Sequence, residues 1–341
     1  MTAMRAPLPR VIEASHGTGG KMTHDLVERI FLPAFRNPRL EALGDQALLD
    51  MPGLRLAMTT DSYVVQPVRF PGGSIGDLAV NGTVNDLLMG GATPVALSAA
   101  FILQEGLELK SLQGIVEDMA AAARRARVEI VTGDTKVVGY GEQDGLFITT
   151  SGVGIVPPHI DWSPTRVRKG DRIILSGSIG DHGASVMASR YGIALDTNIP
   201  SDTCALLDAV LAVRDIPGVR CMRDPTRGGV ATTLAELSEQ SGLTLCAEEQ
   251  AIPVREDVRG LCEVLGLDPL YVANEGKLVA VVAKEDADET VRRLRGVAET
   301  KDAVVIGEVT EDRPGHAALR TLLGALRPLD LLPVEQLPRI C

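Results

Sequence analysis

Apolar residues recur every three or four positions between residues 111 and 127, the most regular pattern in the chain. Side chains at this spacing share one face of an α-helix, so the segment predicts an amphipathic helix. A second helix is predicted over 75–90, after a glycine-rich turn. Apolar runs predict strands at 54–61, 95–103, 129–132 and 145–156. The first half of the chain is therefore predicted to be α+β, with helices on one side of a sheet.

The second half follows a linker-like segment at 157–171, which contains three prolines and no apolar periodicity. Strands are predicted beyond it at 172–176, 277–283 and 303–309, and helices at 183–191, 202–213, 228–241 and 286–295. Strand and helix again alternate, so a second α+β domain is expected.

The tail is marked by Pro328, Pro333 and Pro338, which recur every five residues. A helix cannot persist through that spacing, so the tail is predicted to be extended. We therefore expect four parts, namely a glycine-rich lid segment (1–35), an N-terminal domain (36–157), a C-terminal domain (158–327) and a flexible tail (328–341).

Composition and charge exclude several classes of protein. The 341 residues are enough for two domains with their own cores. The net charge of −11 argues against a non-specific nucleic-acid-binding protein, which needs a basic surface. The longest apolar stretch, at 95–103, is too short to cross a bilayer, and residues 1–20 lack the apolar region of a signal peptide. We expect a cytoplasmic protein with no membrane or nucleic-acid partner.

The five cysteines form no CxxC pair, and their odd number and wide spacing indicate neither a zinc site nor a disulfide framework. Cys204, Cys221, Cys246 and Cys262 lie in ordinary element contexts and are predicted to be small buried residues. Cys341 lies outside any core pattern, at the end of the proline-spaced tail. An exposed thiol there is prone to oxidation, a liability that a cytoplasmic protein would need a reason to carry. We therefore interpret Cys341 as a thiol with a chemical function.

The glycine-rich segment at 15–21 is neither a Walker A motif nor a GxGxxG fingerprint. It is compatible with a plain flexible turn. It is also compatible with a lid in which the backbone N–H groups of Gly17, Gly19 and Gly20, together with the Lys21 ammonium, cover phosphates.

Four aspartates stand where an apolar element is predicted to stop, namely Asp45, Asp61, Asp86 and Asp134. Each alone is typical of a cap or a turn. Hard oxygen ligands that converge from several element ends are also what Mg²⁺ bound to a triphosphate requires. Near Asp86, Asn81 and Asn85 are four residues apart and share one helical face.

The segment 223–229 places two glycines and two arginines immediately before a predicted helix. Gly228 and Gly229 would let backbone N–H groups approach an anion beside Arg223 and Arg227, although a plain capped helix start fits equally well.

The polar turn at 274–277 lies between two apolar segments. Its Glu275 fits a salt-bridged surface residue or a carboxylate general base in a cleft.

Together these segments resemble the HypE family of hydrogenase maturation proteins, in the PurM-like superfamily of aminoimidazole ribonucleotide synthetase and selenophosphate synthetase. The resemblance runs from residue 15 to residue 341. It is carried by the motifs SHGTGGK, TTDSYVVQP, FPGGSIGDLAVNGTVNDLLMGGA, VTGDTKVV, RDPTRGGVATTLAE, NEGKLVAVV and the terminal PRIC. Within the superfamily, a terminal PRIC resembles the HypE family alone, whereas the lid and the acidic positions are shared.

The resemblance implies a two-domain PurM-like architecture, in which each domain is a sheet covered by helices, and a homodimer built through the N-terminal domains. It implies ATP and Mg²⁺ bound between the lid and the acidic residues. The implied ATP-binding residues are Gly17, Gly19, Gly20, Lys21, Asn85, Asp134, Arg227, Gly228 and Gly229. The implied metal ligands are Asp45, Asp61, Asp86 and Asp134. The family often has paired acidic residues at the first position, and here Gln46 follows Asp45.

The implied reaction takes place on Cys341, which would receive a carbamoyl group from the partner HypF. ATP would phosphorylate the oxygen of the thiocarboxamide, and loss of phosphate would leave a thiocyanate. The cyanide would pass to iron on the HypC–HypD scaffold. Because dehydration removes protons from nitrogen, Glu275 is the candidate base, and Lys136 is placed to neutralise charge on the transferring phosphoryl group.

Two other functions remain open on the residues alone. The first is another PurM-like ATP-dependent synthetase acting on a small molecule; a selenophosphate synthetase resembles this pattern but has a reactive residue near the lid, and no cysteine precedes Cys204 here. The second is a non-enzymatic metallochaperone that uses Cys341 as a metal tether, which would need neither the lid nor the acidic residues.

Overall fold

The computed structural model describes residues 21–35, 37, 41, 45–139, 145–193, 199–332 and 340–341. Near the start, helix α1 (Lys21–Leu26) continues through a π-helical turn (Val27–Phe31) into α2 (Leu32–Phe35). None of the described helices is long and apolar enough to cross a membrane.

The first domain is built on a five-stranded sheet. Its strands are β1 (Ala47–Met51), β2 (Leu54–Tyr63), β5 (Thr93–Gln104), β6 (Glu129–Val138) and β7 (Leu146–Ile155), in the spatial order β1-β2-β7-β5-β6. Helix α3 (Ile75–Met89) packs on one face, and α4 (Leu109–Arg125) packs against α3 and β6. A two-stranded ribbon of β3 (Arg69–Phe70) and β4 (Gly73–Ser74) precedes α3.

Helix α3 begins with a capping box. The Ser74 hydroxyl accepts from Gly76 N at 3.2 Å, and Asp77 Oδ2 accepts from Ser74 N at 3.0 Å, which satisfies N–H groups that the first turn leaves without partners. Helix α3 is buried on nearly all sides because the sheet, α4 and the second domain surround it. The position of α3 is therefore fixed by packing on all of these sides, and so are the side chains that it directs toward the sheet.

The opposite face of this sheet exposes large apolar side chains. Met58, Val95, Ile102 and Ile155 are 39–50% exposed. Alternation along β2 and β7 explains the pattern, because residues that point toward α3 are buried while their neighbours point outward. The described residues thus leave an apolar sheet face on the surface of the chain.

The second domain is built on a seven-stranded sheet in the order β14-β13-β10-β12-β8-β11-β9. The strands are β8 (Arg172–Leu175), β9 (Val219–Arg223), β10 (Thr244–Glu248), β11 (Val279–Val282), β12 (Val304–Thr310), β13 (Ala317–Arg320) and β14 (Leu326–Leu329). The helices are α5 (Asp181–Tyr191), α6 (Leu207–Val213), α7 (Gly229–Ser241), α8 (Glu256–Leu265) and α9 (Ala287–Arg295). Most pairings are antiparallel, and β10 and β13 are parallel.

The two domains share one apolar core cluster, which runs from α3 to α6. Asn85 of α3 joins them, because its Nδ2 donates to Cys204 O at 3.0 Å and its Oδ1 accepts from Leu206 N at 2.9 Å. One turn earlier, Asn81 Nδ2 donates to Thr203 Oγ1 at 3.1 Å. The two asparagines do share one helical face, and that face is the domain junction.

Most predicted elements are confirmed, with three corrections. The strand predicted at 129–132 continues to Val138, so Asp134 lies within β6 and not after it. The helix predicted from 202 begins at Leu207. Pro328 pairs with Ala318 inside β14, so the expected start of the tail falls within a strand.

Candidate active site

A pocket opens at the domain junction and is lined by residues from both domains. Its charged lining consists of Asp45, Asp61, Asp86, Arg223, Asp224, Arg227, Glu236 and Glu275, and Cys341 lies beside them. Carboxylates outnumber guanidinium groups in this lining. The pocket is therefore acidic, and a thiol is placed in it.

Strand β2 forms one wall of the pocket because its edge is free at that point. Strand β1 pairs with β2 only as far as Met58, and no described strand covers the edge from Thr59 to Tyr63. Thr59 Oγ1 lies 2.7 Å from Asp86 Oδ2, and the Tyr63 hydroxyl donates to Asp61 Oδ2 at 3.1 Å. Both carboxylates are thus held by neighbouring hydroxyl groups of the same strand.

Burial and mutual repulsion perturb the acidic groups. Burial, followed by the charges of neighbouring carboxylates, raises the pKa of Asp86 well above its usual range and that of Asp224 to about 8. Burial also raises the pKa of Asp45 to about 6, although Arg223 opposes the shift. Buried carboxylates that repel one another favour a bound cation.

The donor set fits a hard cation such as Mg²⁺, because all of these ligands would be carboxylate or hydroxyl oxygens. Asp45, Asp61 and Asp86 come from three different segments of the first domain, as predicted. Within the described ranges, no three histidine, cysteine or acidic side chains are grouped closely enough to hold a metal ion as they stand. The residue types therefore suit Mg²⁺. To coordinate the ion, these carboxylates would have to move closer together or be joined by other ligands.

Arg223 is engaged by carboxylates. Its Nη1 lies 2.9 Å from Asp45 Oδ1 and 3.4 Å from Glu236 Oε2, and the guanidinium is nearly buried. This arginine therefore holds the acidic wall together across the two domains. Arg227, four residues later, lines the pocket itself.

Gly228 and Gly229 are explained by backbone geometry. Both have positive φ, +76° and +61°, at the start of α7. A Cβ on Gly229 would lie 2.5 Å from Leu270 O, and its N–H donates to Thr226 O at 3.0 Å. Neither glycine is among the described residues that line the pocket, so their expected contact with an anion stays a prediction.

Glu275 is a buried carboxyl group without a hydrogen-bond partner on Oε1 among the described residues. It is 3% exposed, and burial followed by the Asp224 charge raises its pKa well above the usual range. Its backbone N–H donates to Asp202 Oδ1 at 3.0 Å, which fixes the turn that presents it. An unsatisfied buried carboxyl that faces a pocket is a candidate for proton transfer.

Cys341 is half-buried and reaches the same pocket. Val64 N donates to Cys341 O at 3.1 Å, and His182 Nε2 lies 2.8 Å from Ile340 O. Ile340 itself is 2% exposed. The thiol is therefore delivered by a docked end of the chain, with Glu275 in the same cleft.

Asp134 and Lys136 are not brought to this pocket within one chain. Asp61 of β2 pairs with Thr150 of β7, which pairs with Ala99 of β5, and Ala99 pairs with Gly133 of β6. Paired residues share one face of a sheet, so Gly133 is on the face of Asp61. The next residue, Asp134, therefore points to the opposite face. Strand β6 is also three strand spacings from β2, about 14 Å. The expectation that four aspartates converge is wrong for Asp134 within a single chain, because β6 continues past it with the alternation of a strand.

Two further predicted ATP ligands, Asn85 and Lys21, are not among the described residues that line the pocket. Asn85 uses its amide in the domain junction and does not line the pocket. Lys21 begins α1, where its backbone N–H donates to Leu332 O at 3.0 Å, and its side chain is exposed. The lid glycines Gly17, Gly19 and Gly20 lie outside the described residues.

Asp224, Glu236 and Tyr63 line the pocket although no sequence pattern singled them out. Asp224 is part of the segment recognised at 223–229, where the arginines and glycines drew attention. Glu236 lies on α7 two turns inside the helix, and its contact with Arg223 spans the site. Of the three, only Asp224 had a usable signal, as an acidic residue next to a glycine-rich helix start.

Comparisons with known proteins agree with this architecture. The AIR synthase related protein family matches twice, with its N-terminal domain over residues 43–156 and its C-terminal domain over residues 168–319. The carbamoyl dehydratase HypE of Azotobacter vinelandii is 51% identical over 97% of this chain and 97% of that protein. These matches confirm the predicted two-domain PurM-like α+β fold.

Two solved structures are also similar. A crystal structure of the hydrogenase maturation protein HypE in complex with ATP has a TM-score of 0.82 and 46% identity, covering 97% of this chain and 100% of that chain. A crystal structure of a HypE–HypF complex has a TM-score of 0.86 and 42% identity, covering 90% of this chain and 99% of that chain.

Proposed function

The chain belongs to the HypE family of the AIR synthase related proteins, and on this premise we propose that it uses ATP to dehydrate a carbamoyl group carried on Cys341. One observation carries the proposal, namely that the Cys341 thiol shares an acidic pocket with the unpaired carboxyl of Glu275. A relative of this family is named carbamoyl dehydratase, and a similar structure contains ATP. A metal tether would need no buried acid beside its thiol.

The reaction converts an S-carboxamide into an S-cyanide. The amide oxygen is a poor leaving group, and transfer of the γ-phosphoryl group of ATP to that oxygen makes it a good one. The C–O bond then breaks with loss of phosphate, and the nitrogen loses two protons in total as the C≡N bond forms. The chain's own task is to hold the carbamoyl group still and to accept a proton from nitrogen.

We propose Glu275 as the group that accepts that proton. With only protein groups around it, burial and the neighbouring acids raise the pKa of its carboxyl well above the usual range and so favour the protonated form. Positive charge brought into the pocket would lower the pKa of Glu275 and release the carboxylate as a base.

Asp45, Asp61 and Asp86 would hold Mg²⁺, and Arg227, which lines the same pocket, would meet phosphate oxygens. When bound, Mg²⁺ would neutralise charge on the phosphates of ATP. The raised pKa values of Asp45 and Asp86 support this assignment, because burial makes the charged form of each group unfavourable and a bound cation would stabilise it.

We also propose that the chain acts as a homodimer through the exposed face of its first sheet. That face carries Met58 and Ile102, and in β6 it carries Asp134 and Lys136. A partner sheet would cover the apolar side chains. Asp134 and Lys136 of the partner subunit would then enter the pocket past the free edge of β2, which restores both residues to the site.

HypF is proposed as the carbamoyl donor, and the HypC–HypD scaffold as the acceptor of the cyanide for [NiFe] hydrogenase iron. A HypE–HypF complex has been solved for a relative that covers 90% of this chain. The site itself supports a carrier role, because Cys341 lies in the pocket and the backbone carbonyls of Ile340 and Cys341 are held there by His182 and Val64.

The test follows the intact mass of the protein. After incubation with HypF and a carbamoyl donor, the mass should increase by one carbamoyl group, and ATP with Mg²⁺ should then remove one water. Cys341→Ala should abolish both changes, whereas Cys204→Ala, which removes a half-buried thiol outside the described lining, should retain them. Absence of the ATP-dependent water loss would refute the proposed reaction.

A further inference from the structure

His182 binds the end of the chain from outside the reaction pocket. Its Nε2 lies 2.8 Å from Ile340 O, across 158 residues of sequence. The imidazole is fully buried in the first turn of α5, and the Phe70 ring packs against it edge-to-face at 5.3 Å between ring centroids. A polar contact in such a closed place is geometrically fixed.

The direction of this hydrogen bond follows from the partners of the ring. Burial lowers the pKa of His182, so the imidazole is neutral and carries one N–H. Ile340 O can only accept, so Nε2 is the donor and Nδ1 accepts from the Ser201 hydroxyl at 2.8 Å. Ser201 is itself held, because its N–H donates to Pro71 O at 2.7 Å and its Oγ accepts from Thr203 N at 3.1 Å.

The neighbouring residue, Asp202, holds the other reacting group. Its Oδ1 accepts from Glu275 N at 3.0 Å, and its Oδ2 lies 2.9 Å from Lys277 Nζ. Ser201 thus acts on Cys341 through His182, while Asp202 acts directly on the turn of Glu275. Two consecutive residues therefore set where the thiol and the acid stand relative to each other.

We propose that His182 is a positioning residue that docks Cys341 in the pocket through the hydrogen bond to Ile340 O. The inference rests on the proposed dehydration for its purpose, since a carried group must stand beside Glu275 to lose its proton. The docking contact itself does not depend on that chemistry. Val64 N, which donates to Cys341 O at 3.1 Å, supports the same position from the first domain.

The first experiment measures how fast iodoacetamide alkylates Cys341 in the full chain, with peptide mapping to separate it from Cys204. His182→Leu removes the donor, and we expect alkylation of Cys341 to rise by about tenfold, the effect of losing one buried hydrogen bond. His182→Gln keeps an N–H donor at comparable reach and should stay within about twofold of the parent rate.

Equal alkylation rates in the parent and His182→Leu would overturn the proposal. So would an equal rise in both variants accompanied by an equal fall in Tm, because that pattern indicates general loosening. If His182→Leu does not fold, Ser201→Ala takes its place; it leaves the imidazole but frees its orientation, and a rise of about threefold is expected. No ATP and no HypF is needed, so the outcome stands even if the proposed reaction fails.

The second experiment separates the two steps of the proposed cycle. His182→Leu should slow ATP-dependent water loss more than carbamoyl acceptance, because acceptance needs Cys341 outside the pocket and dehydration needs it inside. The KM for ATP should not change, and His182→Gln should restore the rate of water loss. Equal slowing of both steps, without rescue by glutamine, would contradict a positioning role.

Discussion

Glu275 and Asp202 are two buried carboxyl groups in contact through one turn, and their electrostatic states are opposite. Asp202 pairs with Lys277 Nζ at 2.9 Å; burial raises the pKa of Asp202, but the attraction and hydrogen bond of Lys277 outweigh burial and lower it. Among the described residues, Glu275 Oε1 has no hydrogen-bond partner; burial and the neighbouring acids outweigh the attraction of Arg227 and raise the pKa of Glu275 well above the usual range. The paired acid is structural, and the unpaired one is available for chemistry.

The largest effect is expected for Glu275→Gln. Loss of the base should slow ATP-dependent water loss by about a thousandfold, while the free energy of unfolding should stay the same or rise, because a buried unpaired acid is removed. Single-turnover mass spectrometry and urea unfolding measure the two quantities. Glu263→Gln, on the exposed surface of α8, is the control. A lower free energy of unfolding for Glu275→Gln would mean that Glu275, like Asp202, stabilises the fold.

Asp202→Ala should give the converse result. Leaving Lys277 buried without its partner should lower the free energy of unfolding by about 3 kcal/mol. Asp202→Ala with Lys277→Met should recover much of that loss. The matched control is Asp215→Ala, which breaks an exposed pair with Arg293 and should change stability by well under about 1 kcal/mol. Equal effects of the two single variants would remove the distinction between buried and exposed pairs here.

The comparison sharpens if Lys136 of the partner subunit enters the pocket of Glu275 and neutralises charge on the transferring phosphoryl group there. Lys136→Ala should then slow water loss by about a hundredfold. Mixing inactive Lys136→Ala and Glu275→Gln chains under subunit exchange should restore about a quarter of the parental activity, because half the dimers are mixed and each has one intact pocket. No recovery in a mixture shown to contain mixed dimers would argue against a shared site.

The smallest expected effect is on the pH dependence of stability. A raised folded pKa means that folded Glu275 keeps a proton that the unfolded chain releases, so stability should fall as pH rises above about 5, by up to about 1.4 kcal/mol per pH unit. Asp202 has a lowered pKa, so its contribution is lost only at lower pH. Urea unfolding in EDTA at pH 5 to 7 should show a shallower slope for Glu275→Gln than for the parent. An unchanged slope would mean that Glu275 is ionised throughout.

Elements with a strong local period were predictable from the sequence, and those without one were not. Helices α3 and α4 agree with their predicted bounds within two residues. The strands β9, β10, β13 and β14 are four or five residues long, and their pairing depends on distant segments. Helix α8 is not among the predicted helices although Val258, Leu261 and Cys262 share one face.

The candidate site was predictable where a residue with a carboxyl or thiol side chain stands near the predicted end of an element or in the tail. Asp61, Asp86, Glu275 and Cys341 do line one pocket. Asp134 was misplaced within one chain because β6 continues past the predicted end at Thr132 to Val138, and the alternation of the strand turns Asp134 to the sheet face opposite Asp61. His182 gave no signal, since its partner Ile340 lies 158 residues away and the contact exists only in the folded chain.

The burial of Ile340 bears on how often the thiol is away from the pocket. Withdrawing Cys341 exposes an isoleucine side chain that is 2% exposed when docked, at a cost of about 2 kcal/mol. Such a cost leaves roughly 3% of molecules undocked at any moment. A protein that loads or unloads this cysteine would therefore have to capture a rare form of the chain, which slows its binding. That limit is removed if the protein offers an apolar site that receives the Ile340 side chain.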